Sequence, residues 1–166
     1  QTMVQLIVRN LYERTCDCRW WATDDAMWQA LETPSDELHA RAGERLEMIN
    51  RFYTVYLNLV LADAKGQVIA TSNPKQFPRA ARANVSRTQW FQAAMQSRSG
   101  DDYIVDDITQ SGSHEGKAVA VYAAAVRKGG QIHGEPLGVL GVIFDWDKQG
   151  LSIVKEAAQL LQADLQ

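Results

Sequence analysis

The feature that most constrains this chain is a change in the spacing of its apolar residues at Tyr53. Before Tyr53 the apolar side chains recur at helical spacing, and after it they follow the two-residue period of strands. A chain that changes period in this way is expected to place helices first and a sheet afterwards, as an α+β fold does. Its 166 residues are enough for one domain with its own core.

Helical spacing in the first third predicts two helices. Residues 2–32 are predicted to form one long helix, because apolar residues from Val4 to Leu31 stay close to helical register. Thr33-Pro34 ends it, since the residue before a proline is disfavoured in helices. Ser35 is expected to cap a second helix that extends to about residue 50.

The remainder predicts a five-stranded antiparallel sheet flanked by helices. Residues 63–66 are expected to form a hairpin turn between the first two strands. The predicted strands are residues 56–61, 68–71, 103–108, 118–126 and 137–146, and a last helix covers residues 150–165. We therefore divide the chain into N-terminal helices (1–52), a sheet-containing lobe (53–149) and a C-terminal helix (150–166).

A further helix is predicted between the second and third strands. Ser86-Arg87-Thr88-Gln89 has the pattern of a capping box, with Ser86 as the N-cap and Gln89 as its partner. Val85 and Trp90 then occupy the positions of a hydrophobic staple. This helix is expected to end near Ser97.

Composition excludes several functions. With 17 basic and 20 acidic residues the net charge is −3, so we expect no nucleic-acid partner, which would require a basic surface. No apolar run reaches the roughly 18 residues of a membrane span. No nucleophile elbow, phosphate-binding loop or HExxH motif is present, so we predict neither an enzyme nor a bound cofactor.

The histidines and cysteines do not predict a metal site. His39, His114 and His133 lack the spacing of metal ligands. Cys16 and Cys18 lie two residues apart on the first helix, where their thiols would point about 200° apart and would not bridge each other. In a dimer through this helix one thiol would meet its counterpart; alternatively, both are ordinary small helix residues.

Residues 59–74, 85–91, 99–103 and 138–146 together resemble the Cache domain, the PAS-like extracytoplasmic sensor module of bacterial receptors. Residues 59–74 resemble its opening hairpin and residues 85–91 its Trp-Phe helix. Residues 99–103 and 138–146 resemble its later strands. The four segments occur in the order that a Cache domain requires, and the long first helix corresponds to its stalk.

The resemblance implies a single-lobed periplasmic sensor of a methyl-accepting chemotaxis receptor, anchored by membrane helices outside this chain. Such a domain binds a small solute and signals through paired helices, so a homodimer through the N-terminal helix is expected. The alternatives are the sensor of a histidine kinase or diguanylate cyclase, and a dimerisation module without a ligand. A cytosolic PAS-type cofactor binder or small enzyme is a third possibility.

The resemblance also implies a pocket between the sheet and the Trp90 helix. Trp90 and Phe91 are candidate lining residues, and Arg87 is a candidate partner for a carboxylate at the helix N-terminus. The amino-acid-binding branch carries an Arg two residues before the Trp and an Asp on the last strand. This chain has Thr88 and Ile143 there. We therefore expect an organic acid rather than an amino acid.

Two predicted strands supply the remaining candidates. Tyr103 and Asp107 are expected to share one face of their strand and Asp106 the other, and all three are candidate ligand contacts. Tyr122 is a second aromatic candidate. It precedes Ala123-Ala124-Ala125, where small side chains leave room either for a cavity or for close packing of a helix.

Overall fold

A computed structural model describes residues 2–146 and 151–164 of the chain. The helices are α1 (Met3–Trp21), α2 (Asp25–Glu32), α3 (Asp36–Phe52), α4 (Pro78–Ala81), α5 (Gln89–Met95) and α6 (Leu151–Asp164). The strands are β1 (Tyr56–Asp63), β2 (Val68–Thr71), β3 (Ile104–Ser111), β4 (Lys117–Arg127) and β5 (Pro136–Asp145). Short 3₁₀ turns cover Gly112–His114 and Lys128–Gly130.

The five strands form one antiparallel sheet in the order β2-β1-β5-β4-β3. The predicted hairpin between β1 and β2 is present, and Asp63 closes it by accepting from the backbone N–H of Lys65 at 2.9 Å. Gly66 takes a φ of 84° in this turn, which suits a residue without a side chain. The predicted fold class of N-terminal helices followed by an antiparallel five-stranded sheet is confirmed.

The sheet separates two apolar clusters, because side chains alternate between its faces. Ala120, Tyr122 and Ala124 of β4 face the N-terminal helices, where Leu46 of α3 is fully buried. Val121 faces the other cluster, together with Trp90 and Phe91 of α5. Two of the alanines on β4 therefore accommodate closely packed helices.

The prediction of one helix over residues 2–32 is wrong, because the helix is interrupted between Trp21 and Asp25. Asp24 caps α2 by accepting from the backbone N–H of Ala26 at 3.0 Å, and its other oxygen pairs with Arg45 of α3 at 2.8 Å. Asp24 therefore starts a new helix and ties it to α3. Trp21 turns inward and packs edge-on against Tyr53, with ring centroids 4.9 Å apart.

The predicted capping box at Ser86 is also wrong. The N-cap of α5 is Thr88, whose Oγ1 accepts from the backbone N–H of Phe91 at 3.3 Å. Ser86 and Arg87 lie in the preceding turn, and the helix ends at Met95 rather than near Ser97. Ser35 does cap α3 as predicted, accepting from the N–H of Leu38 at 3.1 Å.

No helix in the described ranges is both long and apolar enough to cross a membrane. Within the same ranges, no three His, Cys, Asp or Glu side chains gather as a metal site would require. Cys16 is exposed and Cys18 is buried, and both are free thiols.

Candidate functional site

A cavity of about 280 Å³ lies between the sheet and the segment that carries α4 and α5. Its volume is close to the lower end of small-molecule sites, so it suits a small solute. The apolar wall comes mainly from the sheet and α5 and includes Val60, Val119, Val121, Ile143 and Trp90. The polar wall consists of Thr88, Gln89, Asp106, Thr109, Ser111, Ser113 and His114.

Trp90 can lie in this wall because a glycine on β5, the strand beneath it, leaves room for its ring. A Cβ built on Gly141 of β5 would come within 3.0 Å of Cη2 and Cζ3 of the indole ring. A glycine inside a strand often marks such a close approach. Gly141 therefore allows Trp90, only 6% exposed, to lie directly on the sheet at the edge of the cavity.

His114 is a buried polar residue of the lining, only 4% exposed. Its Nε2 lies 3.1 Å from Nδ2 of Asn58 on β1, and its Nδ1 lies 3.0 Å from Oγ of Ser111. One side of the ring packs against Phe77, with centroids 4.9 Å apart. Residues from three separate segments thus hold the imidazole in position.

The hydrogen bonds of Asn58 determine the tautomer of His114. Oδ1 of Asn58 accepts from the backbone N–H of Asn73 at 3.1 Å and from Ser72 Oγ at 3.1 Å, which fixes the orientation of the amide. Nδ2 of Asn58 is therefore a donor, and Nε2 of His114 accepts from it. The ring proton must then lie on Nδ1, which donates to Ser111.

Burial keeps His114 neutral at ordinary pH. Removal from water disfavours the imidazolium ion and lowers the pKa of His114 from 6.5 to about 4. The donor Nδ2 of Asn58 works in the same direction, because it faces the nitrogen that a second proton would occupy. The imidazole therefore contributes a neutral polar surface to the cavity.

The network continues from the cavity towards the N-terminal helices. The hydroxyl of Ser72 shares its single proton between Oδ1 of Asn58 at 3.1 Å and Oδ1 of Asn50 on α3 at 2.8 Å, while Nδ2 of Asn50 donates to the carbonyl of Tyr56 at 2.9 Å. Hydrogen bonds thus connect His114, Asn58, Ser72 and Asn50 in sequence. This series of hydrogen bonds joins the cavity lining to a helix that packs in the apolar cluster on the other face of the sheet.

Among the six predicted site residues whose side chains the structure describes, Trp90 and Asp106 line the cavity. Phe91 is buried in the same apolar cluster but does not line the cavity. Tyr103 is exposed, and the guanidinium carbon of Arg19 lies 5.0 Å from its ring centroid. The side chain of Asp107 lies outside the described residues.

Arg87 and Tyr122 lie away from the cavity. Arg87 is exposed in the turn before α5, and the N–H of Phe91, which a helix N-terminus would offer to a ligand, is taken by Thr88. Tyr122 points to the other face of the sheet, where its ring lies edge-on to Phe144 at 6.3 Å. The sequence reasoning missed the roles of His114 and Asn58, since no local pattern relates them.

Comparison of the sequence with protein-family models and with curated proteins finds no match. Comparison with solved structures does find chains with a similar fold. The V. cholerae histidine kinase DctB sensor domain matches with a TM-score of 0.75 at 18% identity over 93% of this chain and 54% of that one. The chain has a Cache-type fold.

Two chemoreceptor domains with bound ligands share this Cache-type fold. The domain of Pseudomonas aeruginosa PctC, solved with GABA, matches with a TM-score of 0.67 at 18% identity over 92% of this chain and 62% of that one. The domain of Pseudomonas fluorescens CtaA, solved with L-serine, gives 0.63 at 17% identity, over 89% and 56%. The chain thus spans little more than half the length of these structures.

Proposed function

We propose that this chain is the extracytoplasmic solute-binding sensor domain of a membrane-anchored chemoreceptor. The observation that carries the proposal is the 280 Å³ cavity lined by an indole, an imidazole and several hydroxyl groups. It occurs on a fold shared with receptor domains that were solved with bound small ligands. The domain would act by binding rather than by catalysis. The alternative is that it is the sensor domain of a histidine kinase or of a diguanylate cyclase.

The side chains that line the cavity indicate which chemical class of solute it would bind. The expected preference for an organic acid rested on the N-terminus of the Trp90 helix with Arg87, and on the absence of an amino-acid clamp at Thr88 and Ile143. Arg87 is exposed and lies outside the cavity. None of the described residues that line the cavity is a lysine or arginine, whereas Asp106 and the side-chain oxygens of Thr109 and Ser111 are acceptors. We therefore propose a small solute with hydroxyl or amine donors.

Signalling would pass through the helices on the other side of the sheet. The network from His114 to Asn50 joins the cavity to α3, and α6 packs against α1. We propose that a ligand displaces α1, α3 and α6 relative to one another. This displacement would change the relative positions of the first and last helices, through which the signal would leave the domain.

A homodimer through α1 is part of this proposal. Val4, Val8 and Tyr12 form the N-terminal stripe, four residues apart on the helix and between 55% and 68% exposed. Apolar side chains exposed in a row on a helix are typical of surfaces that pair with another helix. The same stripe also favours the second candidate function, a dimerisation module without a ligand.

The test is a thermal-shift screen of the purified domain against alcohols, amines, amino acids, organic acids and inorganic anions. A solute at about 100 times its dissociation constant stabilises the fold by about 2.7 kcal/mol, which raises the melting temperature by roughly 5 °C or more. We expect Asp106→Asn and Trp90→Phe to weaken the shift, and Arg87→Gln, outside the cavity, to leave it unchanged. A folded protein that no solute stabilises would favour the dimerisation module.

A further inference from the structure

A second cavity, of about 440 Å³, lies where β4 ends and α1 approaches the sheet. It is bounded by the last turn of α1, by Ala125 and Arg127 of β4, and by residues 100–101 and 130–132. None of its lining residues belongs to the cavity beside Trp90. The proposed solute site therefore does not account for it.

Arg127 is the unusual residue of this second cavity, because its cationic side chain is only 5% exposed. Its Nη1 donates to the carbonyl of Gly134 at 3.0 Å, and its Nη2 donates to the carbonyl and Oγ of Ser97 at 2.8 and 3.0 Å. Its Nε is buried and has no hydrogen-bond partner among the described residues. Every acceptor of this guanidinium is thus neutral, and its Nε–H is unused.

No carboxylate in the described ranges forms an ion pair with Arg127. Asp102 interacts electrostatically with Arg127 without forming an ion pair with it. The Asp102 carboxylate is exposed and accepts from the backbone N–H groups of Arg98 and Ser99 at 2.8 and 3.1 Å. A buried guanidinium without a counter-charge is unfavourable. An anion in the cavity would supply both the missing charge and an acceptor for Nε after a small side-chain shift.

The other walls define the shape of the anion. Arg19 lines the cavity and is held by a hydrogen bond from Nη1 to the carbonyl of Asp101 at 3.2 Å. Trp20 and Ile132 add apolar surface and are 77% and 45% exposed. Two arginines and the carboxylate of Asp101 leave one net positive charge in the lining.

We propose that this cavity is a second ligand site, which binds a small carboxylate with a flat apolar body. The carboxylate pairs with Arg127 and Arg19, since a guanidinium matches the geometry of a carboxylate. The apolar body lies against Trp20 and Ile132. This site is separate from the solute cavity, and its occupancy is independent of the proposed function.

Benzoate and its neutral analogue benzamide test the proposal. The uniformly ¹⁵N-labelled domain gives one indole N–H signal for each of its five tryptophans and separate Nε–H signals for its arginines. Saturable shifts of the Trp20 indole and Arg127 Nε–H signals by benzoate are expected, with benzamide binding at least about tenfold more weakly.

Variants separate this site from nonspecific binding. Arg19→Gln and Trp20→Ala remove exposed or half-exposed groups, and each is expected to weaken benzoate about fivefold or more. Arg127→Lys keeps the charge but loses the planar fork, and about a tenfold loss is expected. Arg87→Gln, an exposed arginine outside both cavities, is the control and should leave binding unchanged.

Three results would each overturn the proposal. The first is equal binding of benzoate and benzamide, and the second is benzoate binding that Arg19→Gln and Arg127→Lys leave unchanged. The third is the absence of any saturable shift at Trp20 in the folded protein, which would indicate that the cavity takes a different occupant, such as another protein chain.

Discussion

At the scale of single residues, His114 is the best-defined group of the solute cavity. The amide of Asn58 is oriented by the backbone N–H of Asn73, and this orientation places the imidazole proton on Nδ1. Nδ1 then donates to Ser111, which lines the cavity. Two consequences of this arrangement are measurable without knowledge of the ligand.

The first consequence concerns the dependence of stability on pH. The pKa of His114 is lowered to about 4 in the folded state, so between about pH 6.5 and pH 4 the unfolded state binds more protons. The contribution of neutral His114 to the free energy of unfolding is therefore fully present above pH 6.5 and is lost as the pH falls. The expected loss between pH 7.5 and pH 5 is about 2 kcal/mol.

Urea unfolding of wild type and His114→Gln at both pH values measures this contribution. We expect a smaller loss of stability in His114→Gln, because the carboxylates that titrate in this range are common to both proteins. His133→Gln, at an exposed loop position, is the control and should behave as wild type. An identical loss in wild type and His114→Gln would contradict burial as the cause.

The second consequence concerns the partner of His114. Asn58→Asp keeps an oxygen for Ser72 and Asn73 but places an acceptor opposite Nε2 of His114. We expect the pKa of His114 to rise, since a carboxylate favours the imidazolium ion. An NMR titration of the ring protons measures it, and a pKa that stays well below the ordinary value would rule out the assigned tautomer.

At the scale of elements, the start of α5 shows why a capping pattern can mislead. Ser86 and Thr88 both precede the Trp90 segment, and the pattern Ser-x-x-Gln favoured Ser86. The N-cap in the structure is Thr88. The backbone N–H of Val85, just before the helix, donates to the carbonyl of Gly66 in the β1–β2 turn at 2.7 Å. The helix begins only after that contact, which the local sequence does not encode.

The two possible caps predict opposite results from two substitutions. Thr88→Ala removes the acceptor for the N–H of Phe91 and is expected to lower the free energy of unfolding by about 1 kcal/mol. Ser86→Ala removes a hydroxyl that does not cap the helix, and a change within about 0.5 kcal/mol is expected. Chemical denaturation measures both, and a larger loss of stability in Ser86→Ala would indicate that Ser86, rather than Thr88, caps the helix.

At the scale of the whole molecule, the sequence was sufficient for the fold but not for the site. Apolar spacing and turn residues are local, and they predicted all five strands and the hairpin at Gly66. The cavity instead depends on contacts between distant residues, such as Asn58 with His114, 56 positions along the chain. Alternation on β4 likewise did not reveal which face Tyr122 would take relative to Trp90.

The N-terminal stripe of Val4, Val8 and Tyr12 gives a prediction for the assembly. Val8→Glu is expected to weaken the proposed homodimer by at least about tenfold, because it places a charge in an apolar contact. Arg9→Glu, an exposed neighbour, is the control. Analytical ultracentrifugation measures both variants, and a wild-type protein that stays monomeric at high concentration would contradict the dimer.

The proposed binding of a small solute between the sheet and α5 can be observed directly by NMR. The measurement is a ¹H–¹⁵N spectrum of the domain, titrated with the solute that gives the largest thermal shift. We expect a saturable shift of the Trp90 indole signal and of the backbone signals of residues 109–114, with the Trp20 indole unchanged. Shifts at Trp20 without any change at Trp90 would contradict it.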